Sequence, residues 1–208
     1  MFFEAKEKGF FKVIDGYEEK HHRLYGYQSP YHEAAAFVVS ELFGFGVVPP
    51  TFMRTLTLPG QLSPKLGSVQ RYIEGQTPKQ LATRKGIYIE PSKLMRIFDL
   101  LIGNVDRSEG NYVITKDNQQ WAIDNAAAFQ TSNSLKANLD DTAKGPELRD
   151  RISSMLSEHP LVLLRLKTTS DAQIKSALGM LLMPAQIKYL IARKNTLVSV
   201  AKQQRQSF

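Results

Sequence analysis

The apolar positions along this chain fall into two regimes. Before about residue 75 they form short runs, rich in aromatic and β-branched residues and broken by Gly and Pro. Beyond it they recur at helical spacing. "FFEA" and "FFKVI" read as two strands joined by the polar, Gly-ended turn "KEKG". Residues 15–30 are polar and Tyr-rich, with Gly16, Gly26 and Pro30, and read as a loop. Ser29-Pro30 then starts a helix with Ala35, Val38, Val39 and Leu42 on one face, ending at Gly44 or Gly46. "VVPPTFMRTLTL" is extended, its prolines suiting an edge or a strand entry. After the turn-rich "PGQLSPKLG", "GSVQRYIEG" is a short strand bounded by glycines.

From about residue 77 the pattern is helical. "PSKLMRIFDLLIG" sets Leu94, Ile97, Phe98 and Leu101 on one face, with Ser92 as cap and Gly103 at its end. "NYVIT" and "QQWAID" flank the turn "KDN" and are expected to pair as a hairpin. "TSNSLKANLDDTAKGP" is a polar stretch, and helices are expected near residues 146–157, 160–167, 171–182 and 184–203. The expectation is an α+β chain: residues 1–75 hold strands plus one helix, and residues 76–208 are mainly helical.

Composition narrows the classes. The chain has 208 residues, 42% of them hydrophobic, which suffices for a real core. It has no apolar run of about 18 residues, so no membrane span is expected, and its N-terminus lacks the order of a signal peptide. Cys is absent, which excludes disulfides and Cys-ligated metal sites and permits a reducing compartment. The net charge of +7 makes nucleotides, acidic lipids and acidic proteins eligible partners. That charge is spread along the chain, so no dedicated nucleic-acid arm is expected.

The chemistry concentrates in "GNVDRSEGN" and the hairpin behind it. Phosphoryl transfer from ATP needs a base-like carboxylate for the acceptor hydroxyl, an amide oxygen and a second carboxylate for Mg²⁺, and a Lys held by a Glu for the phosphates. Asp106 lies in the loop after a helix, Asn111 starts one hairpin strand and Asp124 ends the other, so both hairpin residues can approach one ion. Arg107 can support the loop or neutralise a neighbouring carboxylate. Far upstream, Lys12 sits in "FFKVI" and Glu33 on the first turn of the following helix. Each residue also has a plain reading. "GNVDRSEGN" alone is a turn, a strand Lys is solvated, and Glu33 suits a helix dipole. His21, His22, His32 and His159 have no metal-ligand spacing and read as surface or loop residues.

In combination, "DLLIGNVDRSEGNYVI" followed by "WAIDNAAAF" resembles the catalytic and metal-binding segments of the phosphatidylinositol 3/4-kinase superfamily, with its HipA-like and Fam20-like atypical kinases. The type II phosphatidylinositol 4-kinases look nearest. The matching pieces are Phe11-Lys12, Glu33-Ala34-Ala35-Ala36, Val48-Pro49-Pro50-Thr51 and the run from Gly67 to Gly75. The resemblance implies an atypical kinase fold with a reduced strand-rich N-lobe and a helical C-lobe. It implies Lys12 as phosphate lysine, Glu33 as its partner, Asp106 as catalytic aspartate beside Arg107, and Asn111 and Asp124 as metal ligands. Backbone groups of Gln70, Arg71, Tyr72 and Ile73 would line the adenine. This chain departs from the pattern at Ser108, where many relatives have His, and no Gly-rich phosphate loop is evident ahead of Lys12.

The expected activity is that of a minimal protein Ser/Thr kinase using ATP and Mg²⁺. The small helical lobe and the absence of Cys favour a protein over a lipid acceptor. A phosphoinositide (4-)kinase is the alternative, favoured by the motif match and the charge. A pseudokinase binding module and an AMP transferase are further rivals. The expected location is cytoplasmic, with a secreted bacterial effector acting in a host cytosol as the alternative by analogy.

Overall fold

The computed structural model describes residues 8–13, 29–86 and 88–203. Along them run β1 (Gly9–Val13), α1 (Pro30–Phe43), β2 (Thr51–Leu56), β3 (Lys65–Arg71), α2 (Pro78–Lys85) and α3 (Lys93–Ile102). The hairpin of β4 (Tyr112–Ile114) and β5 (Gln120–Ala122) follows, then α4 (Ser134–Asp140), α5 (Gly145–Ser157), α6 (Pro160–Thr168), α7 (Asp171–Leu178) and α8 (Pro184–Gln203).

β3 is the central strand of a three-stranded antiparallel sheet ordered β1-β3-β2. Lys12 pairs with Ser68 and Phe10 with Gln70 on one side, and Thr51 pairs with Gln70 on the other. The approach of β1 to β3 requires a residue without a side chain, because a Cβ at Gly67 would lie 2.2 Å from the Lys12 carbonyl oxygen. α1 packs under this sheet. Ser29 Oγ accepts the Tyr31 N–H at its start, Pro30 occupies the first turn, and Gly44 ends it at φ +73°.

α3 buries Met95, Ile97, Phe98, Leu101 and Ile102 along one stripe. Each such burial is worth about 1.5–3 kcal/mol, which holds the helix in place as the base of the following loop. The hairpin pairs Tyr112 with Ala122 and Val113 with Trp121. Its edges are extended by an antiparallel bridge from Gln76 to Ile114 and by the Ala122 N–H donating to the Val47 carbonyl at 2.7 Å. The hairpin therefore contacts both the segment that enters β2 and the one that leaves β3. The apolar core is one cluster running from Ala35 in α1 to Ala201 in α8, across the position near residue 75 where the pattern changes.

Several sequence expectations change. The "FFEA" strand, residues 15–28 of the Tyr-rich loop, and His21 and His22 lie outside the described residues. β3 starts at Lys65 and stops at Arg71, so Tyr72 and Ile73 lie beyond the strand. The polar stretch after Gln130 contains α4, which Asn133 caps and which buries Leu135 and Leu139. Two leucines four residues apart were the only apolar signal there. The helix expected over residues 171–182 ends at Leu178. His32 is no surface residue: it is 1% exposed, on the inward side of the first turn of α1. Among the described residues, no helix is long and apolar enough to cross a membrane.

Candidate active site

Three chain segments distant in sequence meet at Lys12. Its ammonium lies 2.5 Å from Glu33 Oε1 and 2.7 Å from Asp124 Oδ1. Burial alone would lower the pKa of Lys12, but the charges and hydrogen bonds of Glu33 and Asp124 outweigh it and raise the pKa above the ordinary lysine value. The ammonium is thus charged at any physiological pH. Glu33 is buried, and its second oxygen, Oε2, accepts the backbone N–H of Asn125 at 2.9 Å. One carboxylate therefore joins β1 to the segment after β5. Asp124 holds the opposite character. Its side chain is 46% exposed, and its backbone sits at φ +55°, a left-handed conformation seldom adopted by residues other than Gly.

The loop between α3 and β4 is organised by Arg107. Its guanidinium donates to both carboxylate oxygens of Asp99, at 2.8–3.2 Å, in the forked geometry that favours Arg. It also donates to the carbonyls of Asn111 at 2.5 Å and Ile123 at 2.7 Å, and to Asn125 Oδ1 at 2.6 Å. One nearly buried cation thereby ties the end of α3 to both strands of the hairpin and to the residue after Asp124. The sequence left the role of Arg107 open between loop support and carboxylate neutralisation, and its contacts include both the loop backbone and the Asp99 carboxylate.

Asp106 is fixed by its backbone. Its N–H donates to Asn104 Oδ1 at 3.0 Å, and its carbonyl accepts from Asn111 Nδ2 at 2.7 Å. No hydrogen bond to its carboxylate is present among the described residues, so this group is positioned yet available as an acceptor. The Ile123 N–H donates to the Asn111 carbonyl at 3.0 Å, which makes Asn111 and Asp124 near neighbours across the hairpin end. Asn111 spends its amide N–H on the loop, and its Oδ1 remains an acceptor.

The donors here suit a hard cation. Asn111 Oδ1 and the Asp124 carboxylate are oxygens, and Lys12 engages only Oδ1 of the latter. Among the described residues no group of three or more His, Cys, Asp or Glu side chains could hold a metal ion without help. Mg²⁺-like ions that keep waters and take phosphate oxygens need only one or two such protein ligands, so the residues present fit a cation arriving with a nucleotide.

The expected adenine-lining residues divide. Gln70 is buried and its amide donates to Thr51 Oγ1 at 3.0 Å, inside the sheet. The N–H groups of Arg71 and Tyr72 donate to the carbonyls of Pro50 and Lys8, each at 2.9 Å. Ile73, just beyond these pairings, makes no backbone hydrogen bond to another described residue. Gly75 then passes close to β4, where a Cβ would lie 2.4 Å from the Ile114 carbonyl oxygen.

Sequence reasoning missed the residues that hold this site. Asp99 was visible only as the single acid of its helix, four residues before Gly103, and Asn125 as the residue after Asp124. Arg193 was invisible. It is 1% exposed on α8 and donates to the carbonyls of Leu101, Ile102, Gln130 and Ser132 at 2.9–3.2 Å. It clamps the entry to the Asp106 loop and the exit from the Asp124 segment together. Burial lowers its pKa to about 10, which leaves it charged at neutral pH. Gly103, at φ +64°, is needed because a Cβ there would lie 2.8 Å from Arg193 Cζ.

No family model and no curated protein matches the sequence. Solved structures do. The structure of hydra Fam20 with sugar superposes at TM-score 0.58 with 15% identity, covering 95% of this chain and 78% of that one. A crystal structure of the Golgi casein kinase gives 0.56 with 17% identity, covering 99% and 68%. The Golgi casein kinase with Mn/ADP bound gives 0.55 with 17% identity, covering 96% and 68%. These likenesses do not single out the type II phosphatidylinositol 4-kinases that the motifs resembled. They show that this chain has a fold similar to the Fam20 and Golgi casein kinases, an atypical kinase fold.

Proposed function

We propose that the chain is an ATP-dependent phosphotransferase, a minimal atypical protein Ser/Thr kinase. The observation that carries this is Lys12 held between Glu33 and Asp124, at 2.5 and 2.7 Å. Such an arrangement presents one cation to phosphates beside an oxygen-ligand metal position. The Mn/ADP reported for one of the similar structures is consistent with that use.

In this reading Asp106 accepts a hydrogen bond from the acceptor hydroxyl and orients it in line with the terminal phosphorus of ATP. The hydroxyl oxygen bonds to that phosphorus as the bond to the ADP oxygen breaks, and the hydroxyl proton passes to the Asp106 carboxylate. Lys12 contacts the α and β phosphates, exchanging Asp124 for phosphate oxygens, while Glu33 keeps it in place. Asn111 and Asp124 would hold a divalent cation, which supplies neutralisation of the phosphate charge. Arg107 does no chemistry itself and keeps Asp106, Asn111 and Asp124 in register. Ile73, rather than the strand residues Gln70 and Arg71, offers backbone groups to the adenine.

A phosphoinositide acceptor remains a second reading, favoured by the Gly67–Gly75 motif and the net charge of +7. Radiolabelled ATP offered with a protein mixture and, separately, with phosphoinositide vesicles tests both. Label in protein is expected. Label in lipid alone would overturn the protein-kinase assignment, and no transfer together with no Mn²⁺-dependent ADP binding would overturn the phosphotransferase reading.

A further inference from the structure

Asp124 sits at φ +55°, a strained backbone conformation for a residue with a side chain, which persists only where neighbouring contacts over-determine it. Those contacts fall on the residues flanking it. The Ile123 carbonyl accepts from Arg107 at 2.7 Å, and the Asn125 N–H donates to Glu33 at 2.9 Å. The third is the Ala126 carbonyl, 2.7 Å from His32 Nδ1 and also accepting the Ser29 N–H at the longer distance of 3.4 Å. The first two come from charged residues already in the site. The third comes from a residue that the phosphotransfer scheme does not use.

The protonation of His32 follows from its neighbour. Gln186 Oε1 accepts the Met183 N–H at 2.9 Å, which fixes the orientation of the Gln186 amide. Its Nε2 is then the donor, and it lies 2.8 Å from His32 Nε2. His32 Nε2 must accept, so Nδ1 carries the hydrogen and donates to Ala126. Burial depresses the pKa of His32 to about 4, so this neutral form persists at neutral pH. Both side chains are almost fully buried, and the ring of Phe129 stands edge-on to the imidazole at 5.6 Å.

We propose that His32 and Gln186 are positioning residues for the metal-ligand segment: α8, through Gln186 and the Nδ1–H tautomer of His32, holds Ala126 and so keeps the Asp124 carboxylate aimed at the cation. The inference rests on the phosphotransferase reading above. It gives the C-terminal helix a role in the chemistry although none of its residues touches the reacting groups. Outer-shell partners of this kind typically cost about 10–100-fold in metal affinity when removed.

The test uses the full chain, ADP and Mn²⁺. Mn²⁺ affinity of the ADP-loaded protein and metal-free ADP affinity are measured by calorimetry for the parent, Gln186→Leu, His32→Leu and His32→Asn. Gln186→Leu and His32→Leu are expected to weaken Mn²⁺ binding about tenfold or more, with metal-free ADP affinity within about two-fold. His32→Asn, whose amide can still donate to Ala126, is expected to recover part of the loss. A stability-only role would lower melting temperature and leave Mn²⁺ affinity unchanged, and that result in folded variants overturns the proposal. ¹⁵N NMR of the parent imidazole is a second measurement, independent of any variant's folding: an Nε2–H tautomer for His32 overturns the proposal as well. A parent that binds no Mn²⁺ with ADP would instead sink the underlying phosphotransferase reading.

Discussion

The Lys12 ammonium and the Asp124 carboxylate are 112 residues apart in sequence and 2.7 Å apart in space. Glu33 joins them by holding Lys12 with one oxygen and the Asn125 backbone with the other. Lys12 thus contacts one oxygen of the acid that the proposed scheme assigns to the cation.

Lys12→Ala is expected to lower turnover by on the order of 10²-fold or more, as loss of a phosphate clamp generally does. Lys8→Ala, at an exposed position, should change it little. Steady-state transfer rates measure both, and an equal loss at Lys8 would contradict the assignment.

Asp106→Asn should reduce transfer by about 10²–10⁴-fold with ATP affinity within a few-fold. Asn keeps the backbone contacts to Asn104 and Asn111, because these use the N–H and carbonyl of residue 106. Paired measurement of affinity and rate checks this. Normal turnover would return the loop to a structural turn.

Asp124 offers a comparison of two substitutions. Asp124→Ala and Asp124→Gly should both abolish metal-dependent nucleotide binding. Gly accepts φ +55° at no steric cost, so Asp124→Gly should be the more stable of the two by about 1 kcal/mol. That corresponds to about 2–4 °C in melting temperature for a chain of this size. Equal melting would argue against strain at this residue.

Arg107→Ala leaves the largely buried Asp99 carboxylate without its cation, with only the Asn104 amide donating to it, and removes a donor from two carbonyls. Breaking one side of a buried charged pair typically costs about 3–5 kcal/mol. Arg107→Lys should recover little, since a single ammonium cannot span Asp99, Asn111, Ile123 and Asn125 together. Urea denaturation at fixed pH reads both.

His32 predicts an acid limb in stability. Its folded pKa is depressed to about 4 from an ordinary 6.5, so the unfolded chain binds a proton that the folded one refuses. Its contribution is complete above about pH 6.5 and is lost as pH falls through about 4. The loss over that window is up to about 3 kcal/mol. His32→Leu should remove this slope from a plot of urea midpoint against pH. Parallel curves for parent and variant would refute it.

The sequence by itself determined the local elements and the chemistry-bearing residue types. Ser29-Pro30 and Gly44 delimit α1, Ser92 and Gly103 delimit α3, and the hairpin follows from two short apolar strands around "KDN". These signals are local, since caps, turns and periodicity act within a few residues. Lys12, Glu33, Asp106, Asn111 and Asp124 were also legible as candidates, because their types and order match what phosphoryl transfer uses. Only the tertiary structure decided that Lys12 meets Glu33 and Asp124. Glu33 bridging Lys12 to Asn125, Arg107 spanning four partners, and Arg193 and Gln186 acting from α8 all join residues far apart along the chain. Burial makes these partners matter, because a polar group withdrawn from water must find its hydrogen bonds in the protein. Nothing in the local pattern around Arg193 or His32 says which carbonyls those will be.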